Sequence, residues 1–240
     1  MTMTSQGFRY PETDKKIIII VGGFGSGKTE VSVNLAKYLI TTDISKVTLV
    51  DLDLVNPYFR TREAQAEIQA LGVDVICPQG GKFYADLPIL LPQIKGLVES
   101  HEGMLILDVG GDAQGTRGLG SISEFFPPGE YEMLMVLNSR RPQTSEVAGC
   151  LETMRRVEFA ARLKFTGLIS NSHMIDETDE EIILEGYELS KAVSAESGLP
   201  LFFVSAKRTV LEKMNVTFDY PVLPMTRSML KPWERKEKPA

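Results

Sequence analysis

Eight consecutive residues, Gly22, Gly23, Phe24, Gly25, Ser26, Gly27, Lys28 and Thr29, have the spacing G-x-x-x-x-G-K-[ST]. A turn spelled this way can hold a chain of phosphates. Its glycines let the backbone curl until successive N–H groups face anionic oxygens. A helix opening at Lys28 would add the positive end of its dipole. Lys28 brings a full charge to the β- and γ-phosphates, and Thr29 a hydroxyl to Mg²⁺. All eight are candidate nucleotide contacts.

Further acids follow apolar runs. Asp51 and Asp53 come after VTLV in DLDLVNP, and Asp108 after MLIL in DVGGD, with Asp112 just beyond. In an open parallel sheet, ligands sit past the carboxyl ends of the strands, so Asp51, Asp53 and Asp108 can converge on the phosphate loop. Mg²⁺ takes few protein carboxylates and keeps several waters. Asp108 would hold it through water, and Asp51 or Asp53 would orient an attacking water. The N–H of Gly111 could meet a γ-phosphate and sense its loss. Asn171, after another apolar run, offers an amide donor and acceptor together to an adenine edge.

The elements that must position these residues alternate regularly. Strands are expected over 16–21, 47–51, 73–76, 104–108, 131–137, 165–170 and 201–205. Helices are expected over 28–40, 60–71, 87–100, 144–163 and 177–196. Short buried strands alternating with helices mean βαβ units. The expected fold is therefore α/β, a three-layer α/β/α sandwich around a mostly parallel sheet. Residues 1–15 read as a polar N-terminal tail, 16–215 as one nucleotide-binding domain and 216–240 as a C-terminal tail. From Tyr220 onward the tail is rich in proline and expected to pack loosely or dock a partner. Met225, Met229, Leu230 and Trp233 lie there among Arg227, Lys231 and Arg235, although Pro221, Pro224 and Pro232 interrupt any amphipathic helix.

With 240 residues and 43% hydrophobic content, the chain can bury one substantial core. Its net charge of −6 gives no strong signal for nucleic acid or anionic membrane. Two cysteines, Cys77 and Cys150, are too few for a disulfide framework and read as buried thiols of a reducing compartment. Met1 to Lys16 lacks the apolar core of a signal peptide, and no run is long enough to span a membrane. A cytoplasmic chain is expected.

Taken in order, the phosphate loop, DLDLVNP, LILDVGG and GLISN resemble the MinD/ParA/Mrp group of P-loop ATPases, of the SIMIBI class, over residues 16–210. The resemblance implies Mg²⁺-dependent ATP hydrolysis in a nucleotide-induced homodimer. It also implies switch segments that report the nucleotide state to a partner protein, in regulation or metal-centre maturation. On this match Lys28 and Asp53 are the catalytic residues, Asp53 positioning water. Thr29, Asp51 and Asp108 serve Mg²⁺, Asp108 as the Walker B acid, and Asn171 reads adenine. Residues 56–63 and 108–120 fall where the switches would lie.

The family's loop carries an early lysine that reaches across the dimer, and Gly23 stands at that position here. Arg60, Arg62, Arg117, Arg140 and Arg141 are candidates to replace it. The iron–sulfur ligand of the group's iron protein has no counterpart after Asp112. Ser205-Ala206-Lys207 resembles the guanine-contacting element of GTPases, but N-K-x-D is absent, because Ser172, His173 and Met174 follow Asn171. ATP is therefore favoured over GTP, and His173 reads as a plain loop residue. Two other readings stay open: a small-molecule ligase of the dethiobiotin-synthetase type and a non-hydrolysing nucleotide sensor.

Overall fold

The β-branched run IIIIV builds the centre of the sheet. In a computed structural model, which describes residues 9, 11–53, 61–77, 83–100 and 103–228, it forms strand β1 (Ile17–Gly22). Alternate side chains of β1 enter different cores. Ile17, Ile19 and Val21 face one layer of helices, and Ile18 and Ile20 face the other. A strand covered on both faces has no polar side, hence the unbroken apolar spelling.

Elements follow in the order β1, α1 (Lys28–Leu39), β2 (Val47–Leu52), α2 (Thr61–Ala70), β3 (Asp74–Ile76), α3 (Phe83–Ser100), β4 (Met104–Gly110), α4 (Ala113–Gly120), β5 (Tyr131–Leu137), α5 (Val147–Ala161), β6 (Gly167–Ser170), α6 (Glu180–Ser197), β7 (Leu201–Lys207), α7 (Arg208–Leu211) and β8 (Val222–Met225). The strands form one eight-stranded sheet in the order β3-β2-β4-β1-β5-β6-β7-β8. Every described pairing is parallel. The strand order reverses beside β1, between β4 on one side and β5 on the other. That crevice is where open α/β sheets bind ligands.

One face of the sheet packs Val31, Leu35 and Leu39 of α1 with Ile68 of α2. The other packs Ile94 of α3, Leu119 of α4, Met154 and Val157 of α5, and Tyr187 and Val193 of α6. The α/β/α sandwich expected from the pattern is therefore present. Helix α6 starts three residues later than its pattern, because the Asp179 side chain accepts from the Ile182 N–H at 2.9 Å and caps it. Such a cap contributes about 1 kcal/mol.

Two segments differ from expectation. The glycine-rich stretch after β4 contains helix α4, and its glycines serve close packing. A Cβ on Gly115 would lie 2.5 Å from the Gly110 carbonyl oxygen, and one on Gly120 would lie 2.3 Å from that of Ala160 on α5. Asp112 starts this helix, accepting from the Gly115 N–H at 3.0 Å.

The tail also departs from its reading. Val222–Met225 is not loosely packed but joins the sheet as β8, with Val222 and Leu223 buried. Proline is tolerated there because β8 is an edge strand. Met229, Leu230, Lys231, Pro232, Trp233 and Arg235 lie outside the described residues. No helix among those described is long and apolar enough to cross a membrane.

Candidate functional site

The loop from Gly22 to Thr29 joins the end of β1 to the start of α1. Gly25 and Gly27 take φ of 73° and 85°, the left-handed region that penalises side chains. Gly27 is also pressed from outside, since a Cβ there would lie 2.3 Å from Asn171 Nδ2. A Cβ on Gly22 would meet Ser26 Oγ at the same distance. The loop is thus closed on itself, with the Ser26 N–H donating to the Gly23 carbonyl at 3.1 Å.

Beneath it the expected acids come together. Asp51 on β2 and Asp108 on β4 are register partners, and both are fully buried. They lie two residues beyond Leu49 and Ile106, which face the α1 layer, so both carboxylates lie on the side of α1. Asp53, 4% exposed, meets Lys28: its Oδ2 is 2.6 Å from Nζ. The Asp53 N–H donates to Asp51 Oδ1 at 3.0 Å, which fixes the two acids of DLD relative to each other.

Burial alone would lower the pKa of Lys28, but the charges of Asp108 and Asp53 outweigh it and hold the ammonium charged. Burial raises the Asp108 carboxyl to about 6, opposed by Lys28. The hydroxyls of Thr29 and Ser32 lie close enough to favour the charged form. Neither completes a hydrogen bond, and Ser32 donates instead to the Lys28 carbonyl at 2.9 Å. Both Asp108 oxygens are therefore buried without a hydrogen-bond partner.

Unpartnered buried oxygens beside Thr29 suit a divalent cation and its waters, so Thr29, Asp51 and Asp108 fit Mg²⁺. Among the described residues, no three His, Cys, Asp or Glu side chains form a metal site by themselves.

A pocket of about 340 Å³ runs from this floor past the loop. Lys28, Thr29 and Asp53 line one end. His173, Ile175, Ala206, Lys207, Met225 and Arg227 line another part, brought from the segment after β6, the end of β7, and β8 with the residues after it. The size suits a small ligand.

Three site residues are engaged differently from expectation. The Gly111 N–H donates to the Gly22 carbonyl at 2.9 Å, so this backbone spends it on the loop's own first residue and not on a γ-phosphate. Asn171 does line the pocket, but its Nδ2 donates to the Ser26 carbonyl at 2.8 Å and braces the loop. Its Oδ1 stays buried without a hydrogen-bond partner. His173 is more than a plain loop residue. It packs against Gly27, and burial together with the Arg141 charge lowers its pKa to about 4.

Sequence reasoning missed Asn138, which is fully buried at the end of β5. Its Nδ2 donates to the Gly25 and His173 carbonyls, each at 3.3 Å, and ties the phosphate loop to the β6 loop. An amide directly after the apolar run YEMLMVL was the available signal. Also missed was the contribution of β8, through Met225 and Arg227.

Of the cations proposed to replace the early lysine, Arg140 pairs with Glu185, Arg117 is exposed on α4 and Arg141 lines the pocket. The switch expected over 56–63 lies for the most part outside the described residues, as do Arg60 and the Arg62 side chain. The two cysteines are buried thiols outside any disulfide.

No protein-family model matches the chain, and no curated protein matches it. Solved structures do. The cell division protein FtsY of Thermotoga maritima superposes with a TM-score of 0.54 at 19% identity, over 85% of this chain and 65% of its own. The signal recognition particle receptor FtsY of Elizabethkingia anophelis gives 0.54 at 18%, over 92% and 65%. The signal recognition particle 54 kDa protein of Aeropyrum pernix, in complex with GDP, gives 0.56 at 20%, over 81% and 42%. The chain thus spans less than two thirds of each of these proteins. At such identities the likeness is one of fold alone: the chain shares the α/β fold of these FtsY and signal recognition particle structures.

Proposed function

We propose that this chain binds a nucleoside triphosphate with Mg²⁺ and hydrolyses it, with ATP as the preferred nucleotide. The observation that carries the reading is the buried Lys28–Asp53 pair beside unpartnered Asp108, directly under a glycine-built phosphate loop. Burying so much charge at one spot costs stability unless a ligand uses it. Lys28 would hold the β- and γ-phosphates. Asp53 would orient a water toward the γ-phosphorus. Thr29, Asp51 and Asp108 would hold Mg²⁺, which supplies positive charge to the phosphate oxygens.

Adenine is supported by Asn171. Its Oδ1 is a buried acceptor without a hydrogen-bond partner, and an acceptor complements the exocyclic amino group of adenine. Among the described residues, Glu30 and Asp53 are the carboxylates that line the pocket. A GTP switch is the second reading. It is favoured by Ala206 and Lys207 in the pocket wall and by the GDP of the Aeropyrum structure.

The role that fits is a nucleotide-switched regulatory or maturation ATPase of MinD/ParA/Mrp type, dimerising on nucleotide and acting on a partner protein. The test is calorimetry and turnover with Mg-ATP and Mg-GTP, for the wild type and Lys28→Ala. We expect micromolar or tighter binding, ATP ahead of GTP, and loss of both binding and turnover in the variant. Equal turnover by the two proteins refutes the reading, and a preference for GTP transfers it to the second. Sedimentation with and without Mg-ATP checks dimerisation.

A further inference from the structure

Resting on that reading, we propose that Arg141 is a further catalytic residue, a charge-stabilising arginine supplied to the phosphates by the same chain. Its Nε donates to the Gly25 carbonyl at 2.7 Å. A Cβ on Gly25 would lie 2.8 Å from Nε, 3.0 Å from Cζ and 3.3 Å from Nη2, so the guanidinium is packed directly against the loop. Arginine has five N–H donors, and this bond uses one. Four remain for an anion in the pocket that Arg141 lines.

The other pocket cations are placed differently. Lys28 pairs with Asp53, and Arg227 with Asp176. Lys207 stands on the far wall at the end of β7. Among the described residues, Arg141 has no acidic partner within ion-pair distance. It is the cation against the phosphate loop whose charge is uncommitted.

The segment that carries Arg141 is rigid. Pro142 restricts the residue before it, and Arg141 accordingly takes φ −117° and ψ 133°. Its N–H donates to the Asn138 carbonyl at 3.1 Å, which also accepts from Thr144 Oγ1 at 2.7 Å. Asn138 in turn holds Gly25. A cation fixed in advance where charge develops needs no reorganisation during the reaction.

Space is no obstacle at Gly23, where the nearest atom to an added Cβ is Gln143 Oε1 at 3.6 Å. A Cβ is accommodated at that position. Arg141 supplies a cation beside the same loop from within the chain.

In the step it serves, the water oxygen bonds to the γ-phosphorus as the bond from phosphorus to the bridging oxygen breaks. The electron pair leaves on the β-phosphate oxygen, and the water proton ends on inorganic phosphate. Arg141 offsets the negative charge gathering on the departing diphosphate.

The experiment compares wild type, Arg141→Ala and Arg141→Lys. It measures triphosphate and diphosphate affinity with Mg²⁺, and single-turnover hydrolysis at several protein concentrations. Expected are a fall in hydrolysis on the order of a hundredfold or more in Arg141→Ala and a reduced preference for triphosphate over diphosphate. Lysine should restore only part, because it lacks the Nε anchor and the planar fork. Mixing Lys28→Ala with Arg141→Ala should restore nothing.

The inference is overturned if Arg141→Ala keeps both rate and preference. It is also overturned if the variant weakens triphosphate and diphosphate equally at unchanged rate, which would mark a purely structural brace. Restored turnover in the mixture would place the arginine across a dimer and overturn action within one chain. A wild type that binds no nucleotide removes the underlying reading, and this inference with it.

Discussion

The two ends of the pocket are built on opposite principles. At the loop end, the charged floor comes from one turn and the tips of two adjacent strands, and it is buried, with Asn138, Arg141 and Asn171 bracing the loop from outside. Lys28, Asp51, Asp53 and Asp108 are each less than 10% exposed. At the far end, the lining comes from the segment after β6, the end of β7, and β8 with its continuation, and much of it meets water. Ile175 is 40% exposed there, and φ of 56° is strained for a β-branched residue. The contrast separates two tasks. Holding phosphates needs a fixed charge pattern, which a tight local turn supplies. Choosing what hangs from the phosphates needs a shape, which is assembled from distant pieces of chain.

The sharpest way to break the comparison is at the loop. Gly27→Ala places a side chain at φ 85° and within 2.3 Å of Asn171 Nδ2. A loss of about 4 kcal/mol in stability and of all nucleotide binding is expected, read by denaturant titration and calorimetry. A variant of wild-type stability would mean that the loop is not over-determined.

Next comes the floor. Burial lifts Asp108 from the usual 3.8 to about 6, so the unfolded chain releases this proton more readily than the folded one. Stability from this group is complete below pH 3.8 and falls as pH rises to about 6, by about 3 kcal/mol. Asp108→Asn should remove that fall, raise stability at neutral pH and weaken the Mg²⁺ dependence of nucleotide binding. Melting curves across that range decide.

The far wall should give the opposite slope. His173 is lowered from 6.5 to about 4, so the unfolded chain takes up its proton first as pH falls. Stability is therefore unaffected above pH 6.5 and declines toward pH 4, by about 2 kcal/mol for a group with partial water contact. His173→Gln should flatten this acid limb.

The smallest effect is expected at the edge of the site. The Asn34 side chain pairs with both backbone groups of Thr226, donating to its carbonyl at 3.1 Å and accepting from its N–H at 2.9 Å. Asn34→Ala should cost about 1–2 kcal/mol and speed hydrogen exchange in β8, while leaving nucleotide affinity within a few fold. A large affinity loss would show that both ends of the pocket depend on this clasp.

The same contrast explains what could be read in advance. Phosphate-loop residues are neighbours in sequence, and their acids sit at the ends of unmistakable apolar runs, so type and spacing are enough to name them. The sheet was legible for the same reason. Contacts such as Asn138 to Gly25 join residues far apart in sequence, and no spacing announces them. A sequence does not reveal that an N–H is already engaged, as those of Gly111 and of Asn171 Nδ2 are by the loop's own carbonyls. Helix α4 hid behind glycines that look like a loop but allow a close approach. Strand β8 hid behind prolines that an outermost strand tolerates.

The attachment of β8 has a mechanical side. Beyond the Asn34 clasp, the Ser228 N–H donates to the Glu30 carboxylate at 2.8 and 3.1 Å, and Lys37 Nζ donates to Ser228 Oγ at 2.8 Å. Glu30 directly follows Thr29, and Val222 is tied through its N–H to the Arg9 carbonyl at 2.7 Å. Tension applied past Ser228 would therefore load α1 beside the phosphates before it could peel the outermost strand. Whatever tugs on this part of the chain would be felt first where the triphosphate is held.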